Sequence, residues 1–154
     1  MRRAECQMAD EDVVQVLQRA DHGFLGTVGP ALTGPALTPY VVPVNYCYYE
    51  GQIIFHCAQE GLKMDNIRAN ERVCFTVCTE HVVIEREFTT RYESVIVFGR
   101  AEIAEDRERK RELLCRLVDR LAPGRPFPCP DEDIDRTGVV CITIEQATGK
   151  RRIG

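Results

Sequence analysis

The chain is expected to fold as a mainly β protein, a small antiparallel β-barrel with α-helices packed over it. β-Rich segments recur at irregular spacing, and helical periodicity appears at the start, in the middle and near the end. Neither G-x-G-x-x-G nor G-x-x-x-x-G-K-[ST] occurs, which removes the phosphate-binding fingerprints of doubly wound and P-loop folds. A length of 154 residues fits one domain, 1–154. A chain of that size buries roughly two-thirds of its unfolded surface in a single core.

Asp10 is positioned to cap a helix reaching about Ala20, with Val13, Val16, Leu17 and Ala20 on one face. Asp21-His22-Gly23 breaks it, and Phe24 to Val28 reads as a short strand. A tandem duplication follows, Gly29-Pro30-Ala31-Leu32-Thr33 and Gly34-Pro35-Ala36-Leu37-Thr38, whose Gly-Pro pairs forbid regular pairing and suggest an expanded hairpin loop. Val41 to Tyr49 is β-rich, and Pro43 within it removes a ladder donor, which suits an edge, a bulge or a backbone facing a ligand. Gln52 to Ala58 alternates, placing Ile54, His56 and Ala58 on one face and Ile53, Phe55 and Cys57 on the other.

Gln59-Glu60-Gly61 then turns the chain into a helix from Lys63 to Asn70, and Arg72 to Thr79 and Tyr92 to Ala104 read as further strands. Between them, Glu80 to Arg91 lacks clean alternation and is assigned as a hairpin tip with frayed ends. Asp106 is expected to cap a helix to about Leu121, with Leu113, Leu114, Leu117, Val118 and Leu121 as its apolar stripe. Arg107, Arg109, Lys110, Arg116 and Arg120 would form a solvated basic face. Asp131 to Asp135 reads as a helical turn and Val139 to Ile144 as the last strand.

A formal charge of -4 and a pI near 5.5, with the basic residues scattered, argue against nucleic-acid binding. The chain has no apolar run long enough to span a bilayer, and Met1-Arg2-Arg3 precedes polar residues rather than a signal region. A cytoplasmic location without membrane association is therefore expected. In that compartment the eight cysteines would be free thiols, mostly small buried side chains. Cys74, Cys78 and His81 do not match the usual spacing of zinc ligands, so no metal site is expected.

Function is most legible in Ile53 to Val77, IIFHCAQEGLKMDNIRANERVCFTV. Lys63 stands where a strand ends and a helix begins, beside unpaired N–H groups and the positive end of the helix dipole, an arrangement that favours phosphate. The order strand, FH-x-A, glycine turn, G-x-K, helix, N-x-R-V-C-F resembles the FMN-binding split barrel of the pyridoxamine 5'-phosphate oxidase-like superfamily. Within it, the pattern is most similar to nitroimidazole-resistance (Nim) type flavoproteins. Supporting matches are Pro39-Tyr40-Val41-Val42-Pro43-Val44-Asn45-Tyr46, Tyr92-Glu93-Ser94-Val95-Ile96-Val97-Phe98-Gly99-Arg100-Ala101 and Thr148-Gly149-Lys150.

The resemblance implies a six-stranded antiparallel split barrel, a homodimer with FMN at its interface, and electron transfer to a small-molecule acceptor such as a nitroaromatic compound. It implies that Lys63 holds the phosphate, that Val42, Pro43, Val44 and Asn45 run their backbone along the ring, and that His56, Cys57 and Ala58 line it. Ser94 falls at a polar cofactor contact, and Lys150 with Arg151 reaches the flavin from the tail. His56, beside the ring, is the candidate catalytic proton donor. True pyridoxamine-phosphate oxidases carry Ser-Arg-Lys in place of Gly61-Leu62-Lys63, an arginine-led R-x-V-L-L-K in place of Tyr40 to Asn45, and a tryptophan absent here. Oxidation of pyridoxine phosphate is therefore not expected. The alternatives are a non-enzymatic flavin or haem module, with His56 or His22 as haem ligand, and a reductase using F420.

Overall fold

A computed structural model describes residues 4–29 and 38–153. The duplicated segment, apart from its end residues Gly29 and Thr38, lies outside the described residues. The elements run α1 (Asp10–Arg19), β1 (His22–Thr27), β2 (Tyr40–Asn45), β3 (Cys47–Tyr49), β4 (Gln52–Ala58), α2 (Leu62–Ala69) and β5 (Arg72–Ile84). They continue with β6 (Thr89–Ile103), α3 (Arg107–Leu121), α4 (Asp131–Arg136) and β7 (Thr137–Arg152). Every strand pairing is antiparallel, in the order β2-β1-β5-β6-β7-β4-β3.

The sheet has seven strands rather than six because the stretch from Val41 to Tyr49 breaks at Tyr46. Tyr46 turns inward. Its N–H donates to Asp21 O at 3.1 Å, its hydroxyl donates to Leu17 O at 2.7 Å, and its ring meets Phe75 edge-on with centroids 5.0 Å apart. The corner sends β2 to pair with β1 while β3 pairs with β4, so the sheet curls and its two ends meet in chain sequence. β2 and β4 come into contact without hydrogen bonding as strands, and this is the split in the barrel.

Leu25, Ile53, Phe55, Phe75, Val95 and Val97 fill the interior. The α1 residues Val13, Val16 and Leu17 close one end, and Met64 and Ile67 of α2 close the other. Alternation along β4 turns Ile54 outward into a second core beneath α3 and α4, with Val139, Leu113, Leu117 and Ile134.

Several elements differ from their sequence expectations. Asp10 is the first residue of α1 rather than its cap; Ala9 is the N-cap and makes no side-chain bond, while the acidic run Asp10, Glu11, Asp12 faces the dipole. Asp106 does cap α3, accepting from Arg109 N at 2.8 Å. The segment from Glu80 to Arg91 is mostly paired strand, with Glu80 opposite Glu93 and Ile84 opposite Thr89. A register shift between Cys78 and Glu80 flips the faces there, and that flip is what obscured the alternation. β7 runs on to Arg152 because pairing with β6 holds its polar half.

The basic face of α3 is largely engaged. Arg120 donates to Gln18 O (3.0 Å) and Arg19 O (2.7 Å) at the end of α1, Arg107 pairs with Asp131 and Asp135, and Arg116 lies over the Tyr49 ring. Lys110 is buried. Of the eight cysteines, all free, Cys6, Cys47 and Cys141 are buried and Cys57 and Cys129 are half-buried against the two cores, while Cys78 and Cys115 are exposed.

Glu93 fastens α1 to the barrel wall. Its buried carboxylate accepts from Arg151 Nε at 2.7 Å and from Arg19 and Thr79. Burial alone would raise its pKa, but the bonds from Thr79, Arg151 and Arg19 outweigh it and hold the carboxyl below its ordinary value. A lowered folded pKa means stability that is fully present above the ordinary value of 4.5 and is lost as pH falls below it. Glu93→Gln is expected to cost about 2 kcal/mol in urea unfolding at pH 7 and progressively less below the carboxylate range. An equal cost at both ends of that pH range would contradict this assignment.

Candidate functional site

The site is built at the barrel end closed by α2. β4 leaves the sheet at Ala58 and turns through Gly61, whose φ of 117° is one that L side chains rarely adopt. Gly61 O accepts from Met64 N (2.9 Å) and Asp65 N (3.1 Å), and no side chain caps the helix. The N–H groups of Leu62 and Lys63 keep no partner among the described residues. Arg68 reaches back to Gln59 O at 2.9 Å and to Asp65 at 3.3 Å, fixing the turn from the helix side.

Lys63 stands beside the end of β4. Burial raises the Cys57 thiol pKa most strongly, and the charges of Lys63 and then Arg68 pull it part of the way back. Cys57 Sγ lies 3.5 Å from Met64 Sδ, so this thiol packs toward the core. His56 and Ala58 project to the outer face and are exposed.

Two free backbone edges border the gap. β2 pairs only with β1, leaving its other edge open from Tyr40 to Asn45. β3 covers only Gln52 to Ile54 of β4, so Phe55 to Ala58 is paired on the β7 side alone. Val42 and Val44 pack against the core, whereas Val41, Pro43 and Asn45 face outward. Pro43 thus occupies an edge, where its missing N–H costs no ladder bond.

Helix α2 is tied to the start of β2 through a short relay. Asn66 Nδ2 donates to Thr27 Oγ1 at 3.0 Å, and Thr27 is registered with Tyr40. Lys63, Cys57, Ala58 and the start of β2 are therefore brought to one end of the split. β2 then runs toward the α1 end, a span of roughly 20 Å at ~3.3 Å per residue.

Ser94 is not brought to Lys63 within one chain. It is registered with Lys150 near the end of β7, whereas His56 is registered with Val139 near its start. Arg151 turns to Glu93 and Asp12 instead. Arg72 pairs with Glu145 and stands away from the turn.

Sequence reasoning missed the outer face of β1, β2, β5 and β6. Phe24 (43%), Val41 (60%), Ile96 (40%) and Phe98 (50%) are exposed there. A hollow of about 460 Å³ lies among Phe24, Val41, Cys74, Thr76 and Phe98, and neither His56 nor Lys63 borders it. The signal was present in Ser94-Val95-Ile96-Val97-Phe98, where consecutive apolar residues fill both faces of one strand.

An antiparallel barrel split at one seam, with a lysine-bearing helix start beside the seam, is a split barrel. The chain belongs to the pyridoxamine 5'-phosphate oxidase family, whose sequence model matches residues 9–151. Among solved structures, a candidate 5-nitroimidazole antibiotic resistance protein from Bacteroides thetaiotaomicron is 26% identical with a TM-score of 0.81, covering 94% of this chain and 85% of its own. The flavocytochrome Anf3 from Azotobacter vinelandii is 24% identical at a TM-score of 0.83, over 100% of this chain and 72% of its own, a likeness of fold. An FAD-binding protein from Mesorhizobium loti is 25% identical at a TM-score of 0.67, over 95% of this chain and 96% of its own. No curated protein matches the sequence. No helix is long and apolar enough to cross a membrane among the described residues.

Proposed function

We propose that the protein is a cytoplasmic FMN-dependent oxidoreductase that reduces a small organic acceptor of the nitroaromatic kind. The observation that carries this reading is the convergence of Lys63 at an uncapped helix start with the free backbone edges of β2 and β4. The chemistry of the donors fits FMN part by part. The ammonium of Lys63 and the open N–H groups of Leu62 and Lys63 suit a phosphate dianion. The free edge of β2 from Val42 to Asn45 offers alternating donors and acceptors to a pyrimidine edge, and Pro43 and Ala58 offer small apolar walls.

Bound FMN would supply a carrier able to accept two electrons from a donor and pass them to the acceptor. The chain binds its phosphate, orients its ring along β2 and positions His56 to give a proton to the substrate as it is reduced. His56 is exposed on the outer face of β4, which leaves its imidazole in reach of solvent. His56→Ala is expected to lower turnover by about a hundredfold while flavin occupancy stays full. Unchanged turnover at full occupancy would remove His56 from the reaction.

A homodimer is supported by the exposed apolar face and by the position of Ser94 and Lys150, remote from the Lys63 of their own chain. A second copy on that face would bury the aromatic side chains and could carry its Ser94 and Lys150 to the open side of the flavin cleft. The relative from Bacteroides thetaiotaomicron supports a nitro compound as acceptor.

A further inference from the structure

We propose that the cavity between α2 and α3 is a second phosphate-binding subsite with Lys110 as its principal cation. The first observation is a violation of helical pattern. Lys110, Leu113, Leu114 and Leu117 form the buried stripe of α3, and the first of these positions carries a lysine where an apolar residue is expected. Lys110 is only 9% exposed. A lysine stem buried this far leaves its ammonium to be paired, to be hydrogen-bonded or to turn to an opening.

Among the described residues it has neither kind of partner. Asp135 is within electrostatic reach of Lys110, but Arg107 holds its carboxylate, Nε to Oδ1 at 2.7 Å with a second bond to Oδ2. Asp65, on the other helix, is paired with Arg68. Lys110 faces instead a cavity of about 310 Å³, bordered also by Gln59, Arg68 and Glu105. Glu105 is exposed, and the two cations outnumber that one carboxylate. Arg68 spends two of its donors on Asp65 and Gln59 O, and a guanidinium has five. The volume is many times the ~30 Å³ share of one water, room for a phosphate with part of its solvent or with an attached group.

The shared chemistry is a phosphate group, and it has two sources. One is free phosphate. The other is the second phosphate of a dinucleotide flavin, because Gln59 of the turn leading to the Lys63 helix start also borders this cavity, and the outer phosphate of a diphosphate held at that start could turn toward it. The second source depends on the flavin reading above; the first does not.

Wild type, Lys110→Met and Lys110→Arg are compared by thermal melting in inorganic phosphate without flavin, and by flavin fluorescence titration with FMN and with FAD. If the source is free phosphate, phosphate raises the wild-type and Lys110→Arg melting temperatures and leaves Lys110→Met unmoved. If the source is the dinucleotide, wild type binds FAD about tenfold more tightly than FMN, and Lys110→Met brings FAD to the FMN level without changing FMN. Wild type that gains nothing from phosphate and binds both flavins equally overturns the proposal, whether or not Lys110→Met folds. Equal behaviour of folded Lys110→Met and wild type in every arm overturns it too. A protein that binds no flavin but shows the Lys110-dependent phosphate response keeps this subsite and sinks the flavin reading.

Discussion

Lys63→Ala is expected to weaken FMN binding by ten- to a hundredfold, the effect of removing a charge-assisted contact of about 1.5–3 kcal/mol from the phosphate. The lysine is the second residue of α2, in front of N–H groups that no side chain caps, so it brings a full positive charge to the helix start itself. Arg68 lies further along α2 with two of its donors given to Asp65 and Gln59 O, so it compensates only in part. Fluorescence titration with FMN reads the change directly. Lys63→Arg should recover most of the affinity, because a guanidinium can also meet phosphate oxygens. With the uncharged moiety alone, riboflavin, wild type and Lys63→Ala should bind alike. Equal FMN affinity in wild type and Lys63→Ala would move the phosphate elsewhere.

Phe98→Asp is expected to convert a dimer to monomer and to lower flavin occupancy with it. Phe98 is paired with Cys74 across β5 and β6 and borders the hollow shared with Phe24 and Val41. Four large apolar side chains on one sheet face form a patch of the kind that marks an interaction surface. A buried aromatic anchor in such a surface contributes about 2 kcal/mol or more, and an unpaired carboxylate in its place adds a desolvation cost, so the dimer constant should rise by at least about thirtyfold. Sedimentation velocity at micromolar concentration gives the answer. The substitution is made on an exposed position, so the monomer should keep its melting temperature to within a few degrees. A wild type that sediments as a monomer, or a variant that stays dimeric, would reject this face as the interface.

How much of the site could be read from the residues depended on the range of the interaction that fixes each one. Gly61 and Asp106 act locally, through a positive φ and a cap three residues away, and both were legible in the sequence. The division of β4 followed from its alternation, His56 and Ala58 on one face and Phe55 on the other, but which face turns outward did not. Pro43, for want of an N–H, suits an edge, a bulge or a backbone facing a ligand, and β2 is an edge strand of the sheet.

Apart from the cap of α1, missed by one residue at Asp10, the misreadings involve partners distant in sequence. Lys110 was assigned to solvent because lysine usually goes there, whereas packing of α3 on β4 and β7 turns it inward. The strand ends beyond Cys78 were obscured by one register shift, which no local periodicity survives. The break at Tyr46 depends on a hydroxyl bond to Leu17 O and a backbone bond to Asp21 O. Nor could the sequence say which strand edges stay unpaired, since that is decided by the curl of the whole sheet. The separation of Ser94 from Lys63 has the same origin, and it is what motivates the proposed second subunit.

The most direct test of the account is the absorption spectrum of the purified protein after incubation with FMN and removal of free ligand. The account predicts flavin bands that travel with the protein at one flavin per chain, and that are lost or reduced in Lys63→Ala at the same protein concentration. A colourless protein, or a Soret band in place of flavin absorption, would contradict it.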